Sequence, residues 1–131
     1  MGRRELREHI FRMIFRVGFH PAEDIEEQEA LYLDFLDEIS EKDRDYILNK
    51  TEAIRKVIPE IDEKIDAVAE RWKTNRMTSV DLTIIRLAVY EMLYDEDIPV
   101  GVAINEAVEL AKRYGTDQSP AFVNAILAKL A

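Results

Sequence analysis

The chain has 131 residues, which fits one domain, and its 47% apolar and 34% charged residues are typical of a helical protein with solvated outer faces. It contains no cysteine, which excludes a disulfide framework and a thiolate zinc site, and no apolar run approaches the ~20 residues of a membrane span. The net charge of −9 argues against general nucleic-acid binding over the whole surface.

Charge is distributed unevenly along the chain. Residues 1–16 carry five arginines and two glutamates, a net charge of +3, whereas the other 115 residues carry a net charge of −12. This asymmetry predicts a basic interaction arm on an acidic body. The charged N-terminus lacks the apolar core of a signal peptide, so a cytoplasmic protein is expected.

Hydrophobic periodicity predicts an all-α protein. Only four glycines and four prolines punctuate the chain, and neither Asn-Gly nor Asp-Gly, the strongest hairpin signals, occurs. The predicted helices span residues 3–17, 25–40, 41–57, 59–73, 79–94, 100–114 and 119–131. We therefore expect a single domain over residues 1–131, built as a bundle of about seven helices.

The first predicted helix has an apolar stripe and an arginine-bearing face. The stripe consists of Leu6, Ile10, Met13, Ile14 and Val17, widened by Phe11 and Phe15. His9, Arg12 and Arg16 are expected on the opposite, polar face with Glu5. Five arginines near a helix start oppose the preference of the helix dipole for acids there, which favours an anionic partner. From charge alone, RNA, an anionic protein surface and a solvated arm stay open.

The second predicted helix has an acidic outer face. Leu31, Phe35 and Leu36 are expected to face the core. The acidic cluster consists of Glu23, Asp24, Glu26, Glu27 and Glu29. We interpret these carboxylates as a solvated face near a helix start rather than as a metal site.

Proline and apolar spacing define the next two helices. Pro59 is expected at the start of the fourth helix, where proline is tolerated. The inward stripe of that helix is predicted to contain Ile61, Ile65, Val68 and Trp72. The fifth helix is the most apolar, with Thr78 or Ser79 as N-cap and Asp81 in its first turn, and is predicted to be the central core helix.

The last two helices have recognisable boundaries. Gly115 is expected to end the sixth helix in the left-handed conformation, and Ser119 to cap the seventh before Pro120.

Catalytic motifs are missing from the sequence. It has no phosphate-binding glycine loop, and its only histidines, His9 and His20, have no metal-ligand spacing. We therefore expect no enzyme activity, no cofactor and no metal site.

The last third of the chain carries a specific pattern. Residues 80–91 read VDLTIIRLAVYE, residues 102–112 read VAINEAVELAK, and residues 119–124 match S-x-x-F-V-N, while residues 3–8 read RRELRE. With these motifs the chain resembles the NusB family of bacterial transcription antitermination factors over essentially its whole length. The resemblance implies a seven-helix fold that binds boxA RNA together with NusE, a small-subunit ribosomal protein, within an RNA polymerase antitermination complex.

The resemblance also implies roles for individual residues. It implies RNA binding by Arg3, Arg4, Arg7, Gln118, Ser119 and Phe122. Phe122 is expected either to stack on an unpaired base or to pack in the core. Asp81 matches a position on the protein-partner surface. Two positions depart from the family, because Glu5 stands where many members carry a further arginine and Gln118 stands where an acid is common.

Two alternatives stay open from the sequence. The chain is also compatible with an accessory RNA-binding domain that works with a separate RNA methyltransferase, since a similar domain precedes some RNA cytosine methyltransferases. It is further compatible with either a monomer or a homodimer, and a dimer through the first helix would bury Phe11 or Phe15.

Overall fold

A computed structural model describes residues 1–36 and 38–131, apart from the side chain of residue 17. In this described part the chain forms seven α-helices and two short 3-10 helices and has no strand, which confirms the all-α prediction. The α-helices are α1 (Arg3–Val17), α2 (Ile25–Asp34), α3 (Glu41–Lys56), α4 (Ile58–Val68), α5 (Ser79–Leu93), α6 (Val100–Tyr114) and α7 (Ser119–Leu130). The 3-10 helices are Ala22–Asp24 and Thr74–Arg76.

The chain divides into two compact units, Met1–Arg55 and Lys56–Ala131. The expectation of one domain over residues 1–131 stays a prediction. In the first unit, α1 has the predicted bounds and buries most of its predicted stripe, while the predicted core position 17 lies outside the described side chains. The buried stripe consists of Leu6, Ile10, Phe11, Met13 and Ile14. The Thr51 hydroxyl of α3 lies 4.0 Å from the Met13 sulfur of α1, so these two helices are in contact there.

The prediction for the second helix is wrong in length and in orientation. α2 ends at Asp34, whereas the predicted helix extends to residue 40 across residue 37, which lies outside the described residues. Leu31 is 53% exposed and Phe35 is 89% exposed, although both were expected to face the core. Glu29 and Leu33, one turn apart, occupy the buried side instead. Residues two apart in a helical stretch are separated by about 200° around the helix axis and therefore lie on nearly opposite sides. Because Leu33 faces the core, Leu31 and Phe35 face solvent.

The second unit is arranged around α5, as predicted. α5 packs against α4, α6 and α7, and its buried face includes Ile84, Ile85, Leu87, Ala88 and Val89. Its N-terminus is capped by Thr78, whose hydroxyl oxygen accepts a hydrogen bond of 3.1 Å from the Asp81 backbone N–H. α6 has the predicted bounds and buries alanines at a spacing of four residues, which allows close helix packing. Among the described helices, none is both long and apolar enough to cross a membrane.

The fourth helix ends earlier than its apolar pattern predicts. α4 stops at Val68, and Ala69 has extended backbone angles of φ −80° and ψ 118°. Ile61 and Ile65 are buried as expected. Trp72 lies beyond the end of the helix and is 55% exposed, so its prediction as a core residue is wrong.

The turn between α6 and α7 also differs from its prediction. Gly115 has φ −93° and ψ −166°, which is not the left-handed conformation expected of a C-terminal glycine. The glycine is instead required by close packing, since a Cβ at this position would collide with the Ser119 side chain and lie 2.9 Å from the Ala111 carbonyl oxygen. Ser119 is the first helical residue rather than the N-cap, which is Gln118.

Candidate nucleic-acid interface

Three arginines lie along one side of the start of α1. Arg3 and Arg4 are exposed and Arg7 is half-buried. The spacings of three and four residues place these side chains on neighbouring turns of one helix face. Guanidinium groups present planar forks of N–H donors that match phosphate oxygens, so this face can bind successive phosphates of a nucleic acid. The first turn contains Glu5 as its acidic residue, which reduces the local positive charge.

The beginning of the chain is tied to α3 within the same unit. The Met1 ammonium group donates a hydrogen bond of 3.0 Å to the Asp43 carboxylate. This bond raises the pKa of the Met1 amine and holds the pKa of the Asp43 carboxyl below its ordinary value. Because the residues before Arg3 are held in this way and α1 buries an apolar stripe, the arginines lie on an anchored helix. A preorganised arginine face loses less conformational entropy on binding than a disordered arm.

A polar contact lies beneath the arginine-bearing part of α1. His9 is only 7% exposed, so its predicted position on the polar face is wrong. Its Nδ1 atom lies 2.7 Å from the Tyr32 hydroxyl oxygen of α2. Burial, and next the nearby Arg12 guanidinium, lower the pKa of His9 below its ordinary value, which favours the neutral ring. The Arg16 guanidinium stacks 5.6 Å from the centre of the Tyr32 ring.

One member of the predicted solvated acidic cluster is in fact buried. Glu29 is 4% exposed and forms an ion pair with Arg55 of α3. Glu23, Glu26 and Glu27 are exposed, as the prediction of a solvated surface requires, whereas Asp24 is half-buried. The carboxylates therefore do not act as one group, and the buried one serves to pair two helices of the first unit. Across the described residues, no group of three or more His, Asp or Glu side chains has the arrangement of metal ligands.

The second set of predicted RNA-binding residues lies at the start of α7, in the other compact unit. Gln118 is exposed and Phe122 is half-buried, so both have surface that a ligand can reach. Ser119 is 2% exposed, and its hydroxyl oxygen accepts a hydrogen bond of 3.0 Å from the Thr116 backbone N–H. The Ser119 hydroxyl therefore supports the turn that presents its neighbours. The RNA-binding role of these three residues stays a prediction.

Asp81, the residue predicted to meet a protein partner, lies in the first turn of α5. It is half-buried, and its backbone N–H is bound by the Thr78 cap. Its Oδ1 atom is buried and, within residues 1–36 and 38–131, has no hydrogen-bond partner. A buried carboxylate oxygen without a donor is energetically unfavourable.

Sequence reasoning did not anticipate the ion pair that joins α4 to α5. The Arg86 guanidinium donates two hydrogen bonds to the Asp62 carboxylate, with distances of 2.8 Å from Nε and 2.6 Å from Nη2. An arginine inside the most apolar helix was the available signal, because such a charge needs a partner. The pair therefore links α4 to α5.

The structure thus places Arg3, Arg4 and Arg7 on one helix and Gln118, Ser119 and Phe122 at the start of another.

Comparison with known proteins identifies the family. A family model described as the NusB family matches residues 4–131. The transcription antitermination protein NusB of Agathobacter rectalis is 52% identical over 131 residues, which cover the whole of both chains. This similarity does not favour the alternative of a methyltransferase accessory domain.

Solved structures give the same result for the fold. T. maritima NusB superimposes with a TM-score of 0.88 and 38% identity, covering 100% of this chain and 91% of that chain. A crystal structure of the antitermination factors NusB and NusE in complex with dsRNA has a TM-score of 0.81, covering 98% of this chain and 94% of that chain. The identity to that second structure is 21%, so its likeness bears on the fold alone.

Proposed function

This chain belongs to the NusB family, and we propose that it is a transcription antitermination factor that binds boxA RNA together with NusE. The observation that carries the proposal is 52% identity over the full length to a protein named for transcription antitermination. In this role the chain works within an RNA polymerase complex and promotes processive transcription, for example of ribosomal RNA operons. It acts by binding rather than as an enzyme, as a single cytoplasmic domain that is a monomer or a homodimer.

RNA binding is proposed to begin at the arginine face of α1. Arg3, Arg4 and Arg7 bind phosphates, which supplies affinity but little sequence discrimination. The Met1–Asp43 ion pair supports this role, because it ties the start of the chain to α3 just before the helix that carries the three arginines. Glu5, which stands among them, reduces the attraction for phosphate.

Base recognition is proposed to lie at the start of α7. Phe122 offers a half-buried ring on which an unpaired base can stack, and Gln118 offers an exposed amide with both donors and acceptors. Ser119 contributes by holding the turn through its bond to the Thr116 N–H. Stacking and amide contacts discriminate between bases, whereas phosphate contacts do not.

The protein partner is proposed to bind near Asp81. Asp81 is half-buried, so part of this acidic residue is open to a lysine or arginine of NusE, a ribosomal protein expected to be basic. Residues 17–131 carry a net charge of −12, so complementary charge would speed the encounter. The 52% identity over the full length to a transcription antitermination protein NusB supports NusE as the partner, and the solved complex of NusB, NusE and dsRNA shares the fold of this chain.

The test is a gel shift with boxA RNA, with and without NusE. We expect NusE to increase the affinity, and we expect added salt to weaken binding because phosphate contacts release counterions. The triple variant Arg3→Ala/Arg4→Ala/Arg7→Ala should lower the slope of log affinity against log salt by up to about three.

A matched variant removes the same charge elsewhere. Lys42→Ala/Lys56→Ala/Lys112→Ala deletes three exposed cations outside the arginine face and should bind boxA RNA as the parent does. Equal binding by the parent and the arginine variant would show that the arginine face is not the RNA site. If both triple variants bind boxA RNA equally weakly, the loss of affinity reflects the net charge of the protein and not a contact at the arginine face.

A further inference from the structure

A basic and aromatic segment follows α4 in the second unit, and the proposed function does not use it. We call residues 71–76 the RWKTNR segment; it contains Arg71, Trp72, Lys73 and Arg76 and no acidic residue. The second unit has 13 acidic and nine basic side chains, and three of those nine lie in this segment. Positive charge is thus concentrated at one place in an otherwise acidic unit.

The aromatic side chain of this segment is open to solvent. Trp72 is 55% exposed, and the Arg76 guanidinium lies 6.0 Å from the centre of its ring. An indole is among the largest apolar side chains, so leaving it half in water forgoes much of the stabilisation that burial would give. A cation beside an exposed ring offers both charge and a flat surface to a ligand.

Hydrogen bonds to the end of α4 hold the segment in place. The Lys73 ammonium donates to the carbonyl oxygens of Asp66, at 2.8 Å, and Ala69, at 3.0 Å. The Thr74 backbone N–H and hydroxyl donate to the Asp66 carboxylate, at 2.7 Å and 3.0 Å. Because the two residues that follow Trp72 are bound in this way, its exposure is a feature of a preorganised turn.

The surroundings of the segment keep its positive character. Lys129 of α7 donates to the Val68 carbonyl oxygen at 3.3 Å and lies 3.9 Å from the Glu70 carboxylate. Glu70 is the exposed acid next to the segment, while Asp66 is engaged by Thr74. Four cations therefore lie around the end of α4 with two carboxylates, of which Asp66 is bound by Thr74 and Glu70 is paired with Lys129.

We propose that the RWKTNR segment is a second contact site for single-stranded RNA, with an unpaired base stacked on Trp72 and flanking phosphates bound by Arg71 and Arg76. Exposed aromatic rings with neighbouring cations are the means by which proteins bind single strands without reading their sequence. That the ligand is RNA rests on the proposed function. The segment then binds nucleotides that flank the boxA element, whatever their sequence.

The chain itself supplies the reporter, since Trp72 is its only tryptophan. The experiment titrates the full chain with boxA RNA, with boxA RNA extended by a single-stranded uridine tract, and with the uridine tract alone, and follows indole fluorescence. We expect the extended RNA to quench Trp72 emission, to shield it from acrylamide and to bind about tenfold more tightly than bare boxA RNA, as a stacked base and added phosphate contacts would produce.

Variants separate stacking from charge when labelled RNA reports binding. Trp72→Leu should remove most of the gain from the extension, whereas Trp72→Phe, which keeps a ring, should retain most of it. Arg71→Ala/Arg76→Ala should also remove the gain and make the salt dependence shallower by about two. Lys56→Ala/Lys112→Ala, which deletes two exposed cations elsewhere in the same unit, should leave the gain unchanged.

The outcomes distinguish this site from the proposed function. If boxA RNA binds but the extension neither quenches Trp72 nor adds affinity, the RWKTNR site is wrong and the proposed function stands. If no boxA RNA binds while the uridine tract quenches Trp72, the proposed function fails and the single-strand site stands. If polyglutamate quenches Trp72 as strongly as RNA does, the segment recognises acidic chains in general, which overturns the assignment to RNA.

Discussion

Several buried polar side chains of the two compact units are bound by different means, and Glu91 of α5 is in addition a buried carboxylate of the second unit. In the first unit, His9 and Glu29 are buried, and each is bound by a side chain on another helix, Tyr32 and Arg55 respectively. In the second unit, buried hydroxyl groups bond to backbone groups close by in sequence. The Thr83 hydroxyl donates to the carbonyl oxygen four residues earlier at 2.7 Å, as is common within helices.

This difference predicts different sensitivities. A side-chain pair between helices fails as a whole when one partner is removed or changes charge, because the other partner is left buried and unsatisfied. A hydroxyl bonded to its own turn depends little on distant residues, and such a region responds chiefly to changes in volume. The buried side-chain pairs of the first unit should therefore respond to charge and pH, and the turn around Ser119 in the second unit to steric substitutions.

The largest expected effect is at the Glu29–Arg55 pair. Glu29→Ala should lower the free energy of unfolding by about 3–5 kcal/mol, because it leaves Arg55, a mostly buried cation, without its counter-ion. Replacing both partners by methionine should recover most of that loss, because neither charge then remains. Urea unfolding followed by circular dichroism gives the three free energies for a double-mutant comparison.

The Asp62–Arg86 pair is the matched control in the second unit. Its side chains are 25% and 22% exposed, so water partly solvates whichever partner remains. Asp62→Ala should lower the free energy of unfolding by about 1–2 kcal/mol. Equal losses at the two pairs, or a double methionine variant no better than Glu29→Ala, would remove the contrast between the units.

The next effect comes from adding a methyl group to a tightly packed turn of the second unit. Gly115→Ala should lower the free energy of unfolding by about 1–3 kcal/mol, because the new methyl group would overlap the Ser119 side chain. The backbone angles at Gly115 are open to any residue, so the cost is steric rather than conformational. Thermal unfolding measures the change.

The glycine in the first turn of α6 provides a control that should change the free energy of unfolding in the opposite direction. A Cβ added at Gly101, in the first turn of α6, would meet no atom within 4 Å other than its own helix backbone and chain neighbours. Gly101→Ala should therefore stabilise the protein by up to about 1 kcal/mol through helix propensity. If both alanine variants shift stability in the same direction, close packing does not explain the glycine at position 115.

The sequence predicted the elements whose apolar pattern and end signals agree. α1 and α6 have the predicted bounds, and α5 ends within one residue of its prediction. The pattern misled where apolar residues occupy both sides of a helix, as Leu31 and Leu33 do in α2 and Phe35 does just after it. Trp72 continued the spacing of α4 beyond its end, since sequence spacing does not reveal that Ala69 is extended.

The candidate site was predictable only in part. The charge distribution placed Arg3 and Arg4 in a basic arm at the start of the first helix, but their assignment to RNA came from family resemblance. The burial of Ser119 depends on Gly115 lying against it, a contact between two segments that residue type does not encode. The burial of Glu29 likewise depends on Arg55, 26 residues away, so its acidic neighbours gave the wrong expectation.

The smallest effect is a pH dependence that arises from His9. The pKa of His9 in the folded chain is lowered by burial and by Arg12, while Glu5 and Glu8 oppose the shift and Tyr32 contacts the ring. A group whose folded pKa lies below its unfolded pKa binds protons more readily when unfolded. Stability is therefore retained above the unfolded value of about 6.5 and falls as pH decreases below it, by at most about 1.4 kcal/mol per pH unit.

The measurement is urea unfolding between neutral and mildly acidic pH for the parent and for His9→Gln, which cannot take up the proton. The variant should lack the part of the slope that lies just below the unfolded pKa. Tyr32→Phe leaves the His9 ring buried and should keep that part of the slope, since burial is the leading cause of the lowered pKa of His9. A parent and a His9→Gln variant with the same pH profile would mean that His9 does not couple protonation to folding, and the paired interior of the first unit would then be insensitive to mild acid.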